Sequence, residues 1–343
     1  MQSETLINST DLRRSGTKIK GVSYAKYGYL FSLPFLLAFL FFSLYPLIYT
    51  GMIGFTDLKG VATRKFSFLT EHPFANYAAI LNNATFQKAF KNTLIIWGIN
   101  FIPQLALALL VTYWFTARAR TIRGQGFFKV IFYMPNIITA ASIAILFNSL
   151  FGYPIGPVNS LLVNLNFRET PYWFMNNAWP SKVIISFIQF WMWYGYTAII
   201  LISGVLGINP ELFESSAIDG ASPRQSFLYI TMPCLRTIML FTLITSLIGG
   251  LNMFDIPKLF NDGQPNNETA TAAVFIYRQA FSGTYMYNRA SAASMIVFVI
   301  IAILCVCVFY LMRDKYEANE KKMERAATKA ARLARQEKKG AAV

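Results

Sequence analysis

The sequence predicts an all-α, polytopic membrane protein with six transmembrane helices and both termini cytoplasmic. Three observations predict it: six long apolar runs without charge, a one-sided distribution of Lys and Arg, and a first apolar run with no cleavage signal behind it. A bilayer core about 30 Å thick asks for about 20 apolar residues of helix. The chain has 343 residues, 55% of them hydrophobic, and no soluble core of that size would hold six such runs.

The runs are Tyr27 to Thr56, Asn92 to Ala117, Val130 to about Phe151, Val183 to Pro210, Thr237 to Phe254 and Ala290 to Met312. The first follows a polar segment carrying Arg13, Arg14, Lys18, Lys20 and Lys26. It is too long for the apolar region of a signal peptide and lacks a small-residue cleavage site, so it reads as a retained helix. The second run ends at Arg118, Arg120, Arg123 and Lys129; the fourth is followed by Arg224 and Arg236; the sixth by a Lys- and Arg-rich tail from Arg313. With six crossings these segments share one side and hold roughly two thirds of the basic residues, which places the tails in the cytoplasm. The expected organisation is a cytoplasmic tail over 1–26, a membrane domain over 27–312 and a helical cytoplasmic tail over 313–343. The last would favour anionic lipid.

The net charge of +15 thus follows membrane topology and does not point to nucleic acid. Cys234, Cys305 and Cys307 sit in or beside apolar runs and read as small hydrophobes. His72 is the single histidine, so there is no metal site and no Ser-His-Asp triad to assemble. Neither a Walker A pattern, a GxGxxG turn nor an HExxH helix occurs. The chain is expected to bind no cofactor and to carry no ATPase site of its own.

The connection over 207–233 is more than a tether. Asn209 is a good N-cap and Pro210 fits the first helical position. Asp219-Gly220 ends that helix, with Gly supplying a left-handed conformation. Ser222, Pro223 and Gln225 then start a second helix with an S-x-x-Q capping box. Pro233 marks the start of the next span. Glu214 lies late in the first helix, where a carboxylate opposes the macrodipole, so a cationic or hydrogen-bonding partner across an interface is expected.

This pattern resembles the EAA loop of ABC-importer permeases. Glu214, Gly220, Ile230 and Pro233 fall at the family's spacings, with Ser215 and Ser216 in place of paired alanines and Met232 in place of leucine. Ala217-Ile-Asp219-Gly220-Ala221 looks like the carbohydrate branch, the maltose-transporter type. Phe132-Tyr-Met-Pro135 through Phe147, then Gly156 and Asn159, are similar to its third helix and following loop. Asn252-x-Phe254, Leu259 and Gly263-Gln264-Pro265 are similar to the end of its fifth helix and its Gly-Gly-Pro loop, with Gln264 replacing a glycine. The resemblance covers roughly residues 27–312. It implies the type I importer fold, a second permease subunit as a probable heterodimer partner, and an extracytoplasmic sugar-binding protein meeting Gly263, Gln264 and Pro265. It also implies two ATPase subunits that carry ATP and Mg and grip Glu214 through Gly220 and Pro233. The location implied is the bacterial cytoplasmic membrane.

Sugars present hydroxyls and flat C–H faces, so a pathway for them needs amides, carboxylates and aromatic platforms. Polar residues inside spans are costly and face the bundle interior. Gln189, Asn252 and Asp255 stand out, with Trp193 one turn from Gln189 and Tyr194 beside it. The resemblance also puts Asn252 on a position lining the sugar site. The bland reading makes the amides interhelical glue. Trp191 and Tyr196 suit lipid equally well, and Gly249-Gly250 reads as a close helix approach or kink. Energy-coupled sugar import is the leading function. A glycerophosphodiester or polyol permease and an ion-coupled secondary transporter are the alternatives; a phosphate would want Lys or Arg in the spans, which have none. The sugar itself is not readable.

Overall fold

The computed structural model describes residues 25–60, 66–116, 123–283 and 285–312. The N-terminal tail through Lys20, Arg64, Lys65, Arg118, Arg120 and the tail from Arg313 lie outside the described residues. Among the described residues five helices are long and apolar enough to cross a membrane: Lys26–Ile53, Ala84–Thr116, Ala178–Leu206, Arg236–Asn261 and Tyr287–Met312. They are the first, second, fourth, fifth and sixth spans. Among the described residues no strand forms.

The third run is the main departure. It does not make one straight helix over 130–151. Gln125–Ile137 and Ala140–Leu150 meet at 87°. Ile138 is extended, and Thr139 caps the second piece by accepting a hydrogen bond from Ser142 N at 3.3 Å. That cap relieves an orphaned N–H, so the chain turns without leaving it bare.

Other helices outrun their apolar stretches. The second begins at Ala84, two turns before Asn92, and the fourth at Ala178, before Val183. These extra turns carry Lys88 and Lys182, whose ammonium groups both lie 2.7 Å from Glu268.

Two compact units are distinguished, residues 1–49 and 50–343. The described part of the first, residues 25–49, is helical, with Phe41, Tyr45 and Tyr49 stacked along one face at 6.4 and 6.0 Å. It contains a π-turn, Leu40–Leu44, two residues before Pro46. The second unit repeats the device, with a π-turn at Phe227–Thr231 two residues before Pro233. Proline has no N–H for the carbonyl four residues back and crowds it, and a widened turn accommodates that carbonyl.

In the second unit three apolar clusters run along the bundle. One joins Phe86, Leu251, Phe275 and Val297. The next joins Ile96, Ile143, Ile188, Met253 and Phe260. The last joins Val111, Leu201, Ile202 and Leu235. Asn76 donates to the carbonyls of Gly54 and Thr56 at 3.0 and 2.8 Å and accepts from Asn288 at 3.1 Å, tying a short helix, Ala75–Leu81, to the start of the sixth span. A Cβ on Gly195 would lie 1.8 Å from the carbonyl oxygen of Phe132, so the fourth span and Gln125–Ile137 touch backbone to backbone.

Candidate functional site

The second, fourth and fifth spans each contribute a polar stripe to one shared cavity. On the second span Trp97, Asn100 and Gln104 recur at i, i+3 and i+7. On the fourth, Gln189, Trp193, Tyr196 and Thr197 share a face. On the fifth, Thr242, Thr245 and Ser246 precede a break at Asn252–Phe254, after which Asp255 begins a second helical segment, Asp255–Asn261. The carbonyl of Met253, freed by the break, accepts from Thr271 at 2.8 Å.

The cavity so lined has a volume of about 420 Å³, within the range of small-molecule sites. Its walls are cross-linked. Gln104 donates to Thr197 at 2.8 Å, joining the second and fourth spans. Trp97 donates to Ser246 at 3.2 Å, joining the second and fifth, and stacks on Phe101 at 5.4 Å. The indole rests on Gly250, where a Cβ would come within 2.0 Å of Cδ1. Gly250 is thus a place of close approach, and Gly249 meets nothing within 4 Å.

Four of the residues singled out for the pathway come together here: Gln189, Trp193, Asn252 and Asp255 all line the cavity. Asn252 donates to Ile248 O at 2.9 Å on its own helix and remains exposed. Tyr194 does not line the cavity. Its ring lies 6.1 Å from Phe132 and 5.7 Å from Phe190, because one residue along a helix turns the side chain by about 100° toward Gln125–Ile137. Trp191 packs on Phe147 at 5.9 Å, and Tyr196 lies in the cavity wall, edge-on to Trp193 at 5.7 Å. Sequence reasoning missed Trp97, Asn100, Gln104, Tyr196 and the hydroxyls. The signal for Asn100 and Gln104 was present: amides one turn apart inside an apolar run.

At the end of the fourth span the 207–233 connection folds into two helices about a turn. Asn209 accepts from Glu211 N at 3.0 Å and Pro210–Ile218 follows. Ala221 N returns to Ser216 O at 2.9 Å around Gly220, whose φ is +78°. Ser222 and Gln225 exchange capping bonds, Gln225 N to Ser222 Oγ at 3.4 Å and Ser222 N to Gln225 Oε1 at 2.8 Å. The second helix runs on through the π-turn and Pro233 toward Arg236, so Pro233 sits within this run. Phe213 and Ile208 pack on the Leu201–Leu235 cluster, and Phe227 meets Tyr113 at 5.1 Å. The knob is therefore anchored, while Glu214, Ser215, Ala217 and Asp219 stay exposed, with Ser216 half-buried and Ile218 86% exposed.

At the opposite end of the fourth span, Gly263 holds φ +73°, and a Cβ there would lie 2.9 Å from that of Ala270; Gln264 is exposed and Pro265 half-buried. Asn92 donates to the carbonyls of Asn267 and Ala270 at 2.8 and 3.2 Å. Glu268 bridges Lys88 and Lys182. Hydrogen bonds from Lys182, then Lys88, hold its carboxyl below the usual glutamate range.

A multi-pass helical bundle enclosing a cavity of aromatic, amide and hydroxyl side chains defines a membrane permease. The chain belongs to the binding-protein-dependent transport system inner membrane component family, whose sequence profile matches residues 72–320. It is similar to the lactose transport system permease protein LacF of Rhizobium radiobacter, 27% identical over 84% of this chain and 94% of that one. It is also similar to the arabinooligosaccharides transport system permease protein AraP of Bacillus subtilis, 29% identical over 80% and 85%. The multiple sugar-binding transport system permease protein MsmF of Streptococcus mutans is 28% identical over 83% and 93%. A crystal structure of a bacterial ABC transporter involved in alginate import superposes with a TM-score of 0.68 at 24% identity, covering 84% of this chain and 95% of that chain. The fold is that of ABC-importer permeases.

Proposed function

We propose that this chain is one permease subunit of an ATP-driven importer for a sugar or oligosaccharide. The cavity between the second, fourth and fifth spans carries the reading: Trp97, Trp193 and Tyr196 offer ring faces while Gln189, Asn252 and Thr245 offer hydrogen bonds. The lactose, arabinooligosaccharide and multiple-sugar relatives support it. A glycerophosphodiester is a poorer fit, since no Lys, Arg or His lines the cavity among the described residues.

In this reading a second permease completes the pathway, an extracytoplasmic binding protein delivers the sugar near Gly263–Pro265, and two ATPase subunits carry ATP and Mg. The 207–233 knob seats in an ATPase cleft, because two capped helices anchored through Phe213 form a rigid body that can transmit a domain movement. The tails face the cytoplasm of a bacterial cell and the membrane is the cytoplasmic one. The test is reconstitution with the ATPase subunits. Gly220→Val and Glu214→Lys should insert normally yet lose ATPase co-purification or receptor-stimulated hydrolysis. Full stimulation in both would remove the knob from the coupling role. Labelling of a tail cysteine by an impermeant reagent in intact cells would refute the orientation.

A further inference from the structure

Asp255 is the one Asp, Glu, Lys, Arg or His that lines the cavity among the described residues. Amides, hydroxyls, two thioethers and aromatic rings make up its polarizable company. It is exposed, and no hydrogen bond or ion pair engages its carboxylate among the described residues. The cation nearest in sequence does not neutralise it: Lys258 is 2.7 Å from Asp262 and lies over the ring of Tyr277 at 5.2 Å. Arg278 is likewise committed to Asp262 and to Asn267.

We propose that Asp255 is a charge selector, admitting uncharged saccharides and turning away those that carry a carboxylate or phosphate. This rests on the sugar-permease reading above. A carboxylate accepts strong hydrogen bonds from sugar hydroxyls. A second anion brought within about 6 Å, at an effective dielectric of about 20, is disfavoured by on the order of 100-fold. No basic group in the wall offsets that repulsion.

A plainer account exists for the residue type. Asp255 opens the segment Asp255–Asn261, and a carboxylate suits the first turn of a helix. The two accounts separate on charge discrimination, which a capping role would not produce.

The experiment uses the assembled transporter in nanodiscs, without binding protein. Maltotriose, raffinose and arabinotriose, each paired with a mono-uronate derivative, are titrated at millimolar concentration, and quenching of tryptophan fluorescence is read. At least one neutral probe should bind, with its uronate partner weaker by at least about 10-fold. Asp255→Asn should shrink that ratio to within about 3-fold, and Asp255→Glu, which keeps the charge, should preserve it. Equal binding of both probes by the unaltered protein overturns the proposal, as does an undiminished ratio in Asp255→Asn. If no saccharide binds and none is transported with the binding protein present, the sugar reading itself falls and takes this inference with it.

Discussion

Replacing Gly250 by alanine puts a methyl group 2.0 Å from Cδ1 of Trp97. Real Cβ contacts stay above 3.0 Å, so the indole must retreat by at least about 1 Å. Its hydrogen bond to Ser246, already 3.2 Å long, does not survive that retreat. Overpacking costs about 1–3 kcal/mol and the lost bond about 1 kcal/mol more. The ring borders the 420 Å³ cavity, into which it can be displaced. Gly250→Ala should therefore lower both the thermal midpoint of the solubilised complex and sugar uptake at limiting sugar, while assembly persists. The double variant with Trp97→Ala removes the obstructed ring, and there Gly250→Ala should be nearly silent. Unchanged uptake and midpoint in Gly250→Ala would refute the reasoning. So would an equal Gly250→Ala penalty with and without Trp97.

Gln104→Leu leaves the hydroxyl of Thr197, a buried residue, without its partner and should cost about 1–3 kcal/mol, read as a fall in thermal midpoint; Thr197→Val in the same protein should restore most of it. Glu268→Gln should lower the midpoint at neutral pH by leaving the buried Lys182 without its counter-charge. Because the folded-state value of Glu268 is depressed, its contribution is present above the ordinary glutamate range near 4.3 and is lost as pH falls through the lower folded value. The gap between the two proteins should thus close below about pH 4 in melts taken across pH. Gly220→Ala meets no neighbouring atom within 4 Å, so its cost, about 1–2 kcal/mol, should be backbone strain alone. Asn252→Ala should lower uptake without reducing assembly, and normal uptake at limiting sugar would make Asn252 a bystander.

What the sequence disclosed depended on how locally each feature is determined. The turn over 219–225 was legible because a positive-φ glycine and a capping box are settled within a few residues. The bend in the third run was not, because Pro135 sits inside helix Gln125–Ile137 and the chain turns only at Ile138–Thr139. Trp193 and Tyr194 are adjacent letters that differ in helical phase, and only packing against Phe132 shows which one enters the cavity. The helical turns before Asn92 and Val183 lie outside the apolar runs, and the partner that Lys88 and Lys182 share there, Glu268, is distant in the chain. Asn100 and Gln104 were hidden by their setting in an apolar run, although their spacing marks one face.

The contact at Gly195 bears on how this bundle can move. Side chains that interdigitate can trade rotamers and let two helices slip. Here the carbonyl of Phe132 occupies the space a β-carbon on Gly195 would need, 1.8 Å from its oxygen, and leaves no such play. The fourth span and Gln125–Ile137 meet there backbone to backbone, with no side chain between them to yield. The first break in helical backbone beyond that contact is Ile138–Thr139, where the 87° corner brings Ala140 to the cavity wall, so a shift of the pair would reach the cavity through this corner.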